Sequence, residues 1–128
     1  MARKTIHSDS APKAIGPYSQ AVQVDAGKMV FLSGQVPLDP ATGAMVEGDI
    51  EAQTVRVMEN LRAVLAAAGL DFSHVVRCGI FLTNLGDFTR VNEVYGRYFT
   101  GAPPARATVQ VSALPKGAQV EIDAIAVS

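Results

Sequence analysis

Cysteine is almost absent from this chain. Its 128 residues hold one, Cys78, so no intramolecular disulfide can staple the fold, and a reducing compartment is expected. Long apolar runs are absent too. Nothing approaches the roughly 18 consecutive apolar residues of a membrane span. The start, Met1-Ala-Arg-Lys-Thr-Ile-His7, lacks the apolar stretch of a secretory signal. The expectation is a cytoplasmic protein that crosses no membrane. Neither sign of charge dominates: 11 Lys and Arg against 12 Asp and Glu leave a net charge of −1. That balance offers no electrostatic footprint for nucleic acid or an anionic membrane. Common catalytic signatures are missing as well. There is no Gly-rich phosphate loop, no Gly-x-Ser-x-Gly elbow, no clustered His/Cys metal set and no Cys–His pair at a recognised spacing. No metal and no cofactor are therefore expected. Linkers, repeats and low-complexity tracts are lacking, and residues 1–128 read as one domain.

What the chain does have is patterned for a globular core, with 48% apolar and 18% charged residues. Two prolines and a glycine between residues 10 and 18 mark an ordered loop. Ala21–Val24 and Met29–Leu32, separated by a short Gly-containing segment, read as a β-hairpin. Residues 37–48 have loop chemistry, with Pro37, Pro40, Gly43 and Gly48. The period then changes. Ile50, Val57, Leu61, Val64, Leu65 and Ala68 fall on one stripe of an amphipathic helix, with Asp49 and Glu51 at its start and Gly69 past its end. Val75–Leu82 reads as a strand buried on both faces. Asp87 can cap a second helix presenting Phe88, Val91, Tyr95 and Tyr98 on one face. Strands at 108–111 and 120–126 close the chain. The order predicts an α+β fold: one mixed β-sheet with two helices on one face. Strands such as Met29–Leu32 and Ile125–Val127 are apolar at consecutive positions, so both sheet faces need cover. With no further helices, a second copy of the chain is the natural cover for the other face.

Few residues could carry chemistry. His7 and His74 read most simply as solvated histidines, and Cys78 as a buried hydrophobe. Arg106 follows the rigid Pro103-Pro104 turn, which presents its guanidinium with little entropy to lose. It either grips a carboxylate through paired hydrogen bonds or is a plain surface arginine. Glu121, between Val120 and Ile122 on the last strand, is either an exposed strand acid or a carboxylate able to align water for attack. Gly34, beside Ser33, would let backbone approach a ligand. Tyr18, Asn92 and Thr108 carry no local signal of their own.

Taken together, several segments do identify a family. Ala14-Ile-Gly-Pro-Tyr-Ser-Gln-Ala21, Phe31-Leu-Ser-Gly-Gln35, Pro104-Ala-Arg106 with Thr108-Val109, Leu114-Pro115 and Val120-Glu-Ile-Asp-Ala-Ile-Ala126 occur in order across nearly the whole chain. In that arrangement the sequence resembles the RidA (YjgF-like) family of enamine/imine deaminases. The resemblance implies a chorismate-mutase-like sandwich assembled as a homotrimer, with active sites between neighbouring subunits. The implied reaction is hydrolysis of 2-iminobutanoate, 2-iminopropanoate and related imino acids to 2-keto acids and ammonia. Arg106 would hold the substrate carboxylate, and Glu121 would position the hydrolytic water. Tyr18, Ser33, Gly34, Asn92 and Thr108 would shape the pocket. Some members carry cysteine where this chain has Thr108, which removes thiol-based regulation at that position but not the hydrolysis. The stretch before Pro104 is shorter than in some members, so a different pocket rim is expected. Members have also been described as ribonucleases or translation inhibitors, and a trimer that merely binds small carboxylates is a third reading. The near-neutral charge argues against the nucleic-acid reading, and the presence of both Arg106 and Glu121 favours catalysis over binding alone.

Overall fold

A computed structural model describes residues 3–25 and 27–128. Six strands and two helices follow one another as β1 (Arg3–Ile6), β2 (Ala21–Val24), β3 (Met29–Gln35), α1 (Ile50–Ala67), β4 (Val75–Leu82), α2 (Phe88–Gly96), β5 (Ala105–Gln110) and β6 (Val120–Val127). The principal sheet has the order β3-β6-β4-β5. β6 runs antiparallel to both β3 and β4, while β4 and β5 are parallel, joined by α2 as a crossover. The α+β class and the pair of helices on a mixed sheet are as the sequence indicated.

The helices form where the period predicted, except that α2 ends at Gly96 and leaves Tyr98, expected on its face, in the segment after it. Asp49 caps α1 by accepting a hydrogen bond from the Ala52 amide at 2.9 Å. At the other end Gly69 sits at φ +74°. There Leu70 N–H donates to Leu65 O and Gly69 N–H to Ala66 O, the two bonds of a Schellman ending. Ile50, Val57, Leu61 and Leu65 are buried; Val64 and Ala68, assigned to the same stripe, are exposed at its margin. Val91 and Tyr95 of α2 are buried, and Phe88 and Tyr98 pack partly buried against the same core. The sheet contributes Cys78, Ile80, Leu82, Val120, Ile122, Ala124 and Ala126 to that core.

Three local expectations are corrected. The hairpin does not form: β2 pairs with β1, and β3 pairs with β6. Residue 26 of the anticipated turn lies outside the described residues. Partners distant in sequence took both strands. Asp87 makes no capping hydrogen bond; Asn84 instead accepts from the Gly86 amide in the preceding 3₁₀ turn. Strand β4 is central but not buried on both faces, since Arg77 is exposed and Phe81 half-buried on the side away from the helices.

That second face is apolar and open. Met29 is 56%, Phe31 69% and Val109 45% exposed. Among the described residues no helix covers them, and none of the helices is long and apolar enough to cross a membrane.

Candidate active site

Arg106 is the best-defined element of the site. Strand β5 starts directly after Pro103 and the buried Pro104, and its register sets Arg106 opposite Cys78 of β4. Cys78 faces the helices, and Arg106 therefore does too. Its guanidinium lies over three rings, with Cζ 5.3 Å from the Tyr18 centroid, 5.3 Å from Tyr95 and 5.6 Å from Phe88. One Nη donates to the Asn92 side-chain carbonyl. Phe88, Asn92 and Tyr95 occupy positions i, i+4 and i+7 of α2, one helical stripe aimed at the strand edge.

Tyr18 arrives from the loop of residues 7–20, which is tied down at both ends. Gln20 accepts from the Ser8 amide at 2.6 Å and donates to Pro12 O at 2.6 Å. The buried Ser19 donates its amide to Pro104 O at 3.1 Å and its hydroxyl to Pro103 O. Loop and strand entrance are thus held as one piece. Gly16 lies against the cluster: a Cβ there would meet Arg106 Nη2 at 3.7 Å and Asn92 Nδ2 at 3.8 Å.

Among the described residues no carboxylate comes within ion-pair distance of Arg106. Burial lowers its pKa below the ordinary guanidinium value, yet a guanidinium stays charged in water at any ordinary pH. A half-buried, unpaired, oriented cation is a seat for an anion. Two residues on, Thr108 pairs with Ile80 and so shares this face; its hydroxyl is buried without a partner. The Tyr95 hydroxyl is also buried, beside the Cys78 thiol, which burial pushes up to about 11. A thiol held protonated at neutral pH is no nucleophile.

Glu121 lies elsewhere. It pairs with Phe81, three residues along β4 from Cys78, and side chains three apart on a strand point to opposite faces. Glu121 is therefore on the open face, half-buried and without an ion pair among the described residues. Its carboxylate rests over Gly34. Between Leu32 and Gln35 the β3–β6 register takes up one extra residue, a bulge containing Ser33 and Gly34. A Cβ at Gly34 would overlap the Glu121 carboxylate, so this close approach needs glycine.

The structure accordingly brings the named residues together as two groups. Tyr18, Asn92, Arg106 and Thr108 lie on the helix side of the sheet edge, whereas Ser33, Gly34 and Glu121 lie on the open face. Phe88 and Tyr95 were not singled out from sequence as site residues. Their spacing with Asn92 was the available signal. His7 and His74 stand outside both groups, paired with Asp9 and Asp71. Among the described residues no three potential metal ligands converge.

Comparison with known proteins gives one consistent pattern. A family model described as Endoribonuclease L-PSP matches residues 8–128. Protein DfrA of Myxococcus xanthus is 85% identical over 128 residues, spanning 100% of this chain and 98% of its own. The 2-iminobutanoate/2-iminopropanoate deaminase of Mus musculus is 51% identical over 125 residues, 98% of this chain and 91% of its own. A solved structure of RidA from an Antarctic Psychrobacter superposes with a TM-score of 0.76 at 46% identity, covering 98% of this chain and 99% of that one.

Proposed function

The chain belongs to the RidA (YjgF-like) family, and from that premise we propose that it hydrolyses reactive 2-imino acids such as 2-iminobutanoate and 2-iminopropanoate to 2-keto acids and ammonia. The observation that carries this reading is the half-buried Arg106, fixed by three rings and Asn92 and lacking an anion of its own. A 2-imino acid supplies the missing carboxylate. The mouse relative that bears this deaminase name is 51% identical; the name of the Myxococcus relative specifies no activity.

The chemistry demands little of the protein. A protonated imine is already electrophilic, so holding its carboxylate and placing one water can suffice. Orientation of this kind supplies up to roughly 7–11 kcal/mol in ideal cases. Glu121 is the group for the water: its carboxylate accepts a proton or a hydrogen bond as oxygen attacks the imine carbon. The ammonia formed then leaves as the carbinolamine collapses to the ketone.

Arg106 and Glu121 point to opposite faces of one sheet, so a single site using both takes Arg106 from one copy and Glu121 from another. The open face with Met29, Phe31 and Val109 supplies the surface on which copies meet. A closed homotrimer with three interfacial sites follows as the assembly proposed here.

The ribonuclease name of the family model favours a second reading. The net charge of −1 and the placement of both histidines outside the Arg106 group weigh against it. The test is direct: imines generated by threonine dehydratase should release ammonia and keto acid faster when the protein is added. An unchanged rate with the assembled protein would refute the proposal.

A further inference from the structure

A recess lies beyond the C-terminal end of α2, away from the stripe that holds Arg106. It is a cavity of about 640 Å³ between the end of α1, the turn after it, the segment following α2 and strand β1. Its floor is aromatic. Phe72 packs on Tyr98 at 5.4 Å and edge-on to Phe99 at 5.5 Å between ring centroids. Leu70 and Ala66 extend the apolar surface.

Two guanidiniums line this floor. Arg62 lies over Tyr98 at 5.2 Å and Phe72 at 5.7 Å. Arg3 is anchored by donating to Ser73 O at 2.9 Å, Val75 O at 2.7 Å and Ala102 O at 3.1 Å. Those bonds neutralise no charge, because carbonyls are uncharged acceptors, and they leave two of the five N–H groups of Arg3 unspent. One acid belongs to the lining, Asp71, and it is engaged: it accepts from the amide and hydroxyl of Ser73 and lies 3.3 Å from His74 Nδ1. Glu59, half-buried outside the lining, accepts from the Tyr98 hydroxyl at 2.8 Å and approaches Arg62 at 3.6 Å.

We infer that this cavity is a binding site for a small amphipathic carboxylate with an aromatic or branched hydrocarbon body, separate from the site of Arg106. An apolar floor with a few convergent polar groups, in a recess of this size, is the usual form of a small-molecule site. The hydrocarbon body stacks on Phe72, Tyr98 and Phe99, and the carboxylate meets Arg62 with Arg3 behind it. Asp71 and Glu59 balance the two arginines in net charge, so preference for an anion over a neutral analogue of the same shape rests on the planar donor fork of Arg62 and the two unspent N–H groups of Arg3.

The test uses 3-phenylpropanoate as probe and 3-phenylpropanamide as its neutral counterpart, titrated into wild-type and Arg106→Ala protein and followed by amide NMR. Saturable binding should persist in Arg106→Ala, shifting the amides of Phe72, Tyr98, Thr100 and Gly101. The neutral probe should bind about tenfold more weakly or worse. Arg62→Ala, at an exposed position, should weaken the acid by a similar factor and leave imine hydrolysis unchanged, with the fold checked by circular dichroism. Ala66→Trp keeps both arginines but fills the recess and should abolish binding. The inference is overturned if no saturable binding occurs below about 10 mM. It is equally overturned if binding survives both Arg62→Ala and Ala66→Trp, or if shifts are confined to the surroundings of Asn92 and Arg106.

Discussion

Because Cys78 pairs with Arg106 and Phe81 with Glu121, the proposed site draws its two groups from two copies, and subunit mixing tests this quantitatively. Arg106→Ala removes the carboxylate seat. Truncating one partner of such a sheltered charge pair costs about 2–5 kcal/mol, so the variant should keep no more than about 3% of wild-type kcat/KM. Glu121→Gln keeps the shape and removes the proposed base, and should lower kcat about 100-fold. When the two variants are co-refolded at equal amounts into closed rings, each interface draws its Arg106 from an intact chain with probability one half, and its Glu121 likewise. About one quarter of the interfaces then carry both native groups. Ammonia release from 2-iminobutanoate should accordingly recover to about 25% of the wild-type rate, far above either variant alone. If both groups served one chain's own site, no chain in the mixture would have both. Activity staying at the level of the separate variants, with assembly intact by light scattering, would sink the shared-site reasoning.

Other outcomes follow from single contacts. Arg106→Lys should restore only part of what Arg106→Ala loses, since a point ammonium lacks the planar fork seated on Tyr18, Phe88 and Tyr95; steady-state kinetics read this directly. Gly34→Ala places a Cβ on the Glu121 carboxylate. It should lower kcat much as Glu121→Gln does, while circular dichroism shows the fold retained. Phe31→Asp puts a charge on the open apolar face, and light scattering should report a loss of assembly together with a loss of activity. Cys78→Ala should retain hydrolysis within about threefold and lose roughly 1–2 kcal/mol of stability through a small cavity. The folded thiol keeps its proton up to about pH 11 while the unfolded thiol ionises near 9.0. The wild type should therefore lose stability relative to Cys78→Ala as pH rises through that window, measured by denaturant titration.

Local signals in the sequence located the elements well and their partners poorly. The helix over Ile50–Ala67 was legible because capping and the Schellman ending depend on neighbours within a few residues. The pairing of β2 with β1 rather than β3 depends on residues far along the chain and leaves no periodic trace. Arg106 was visible through its proline turn, but its seat was not. The seat is built by Tyr18, some 90 residues away, and by α2, whose apolar face also serves the core, so Phe88 and Tyr95 read as packing alone. Glu121 was placed by strand alternation, which left solvent and partner chain equally open. The bulge that brings Gly34 beneath it is a register defect that composition does not announce.

Ser19 ties the Tyr18 loop to the Pro103–Pro104 segment through its amide and its hydroxyl, across 84 residues of sequence. In the proposed site the loop would therefore serve as a fixed wall rather than a hinged door. Transplanting the loop alone from a relative, as a means of altering substrate preference, would put these two stitches and the Tyr18 ring over the guanidinium at risk. Loop and proline turn have to be exchanged together, as one cassette.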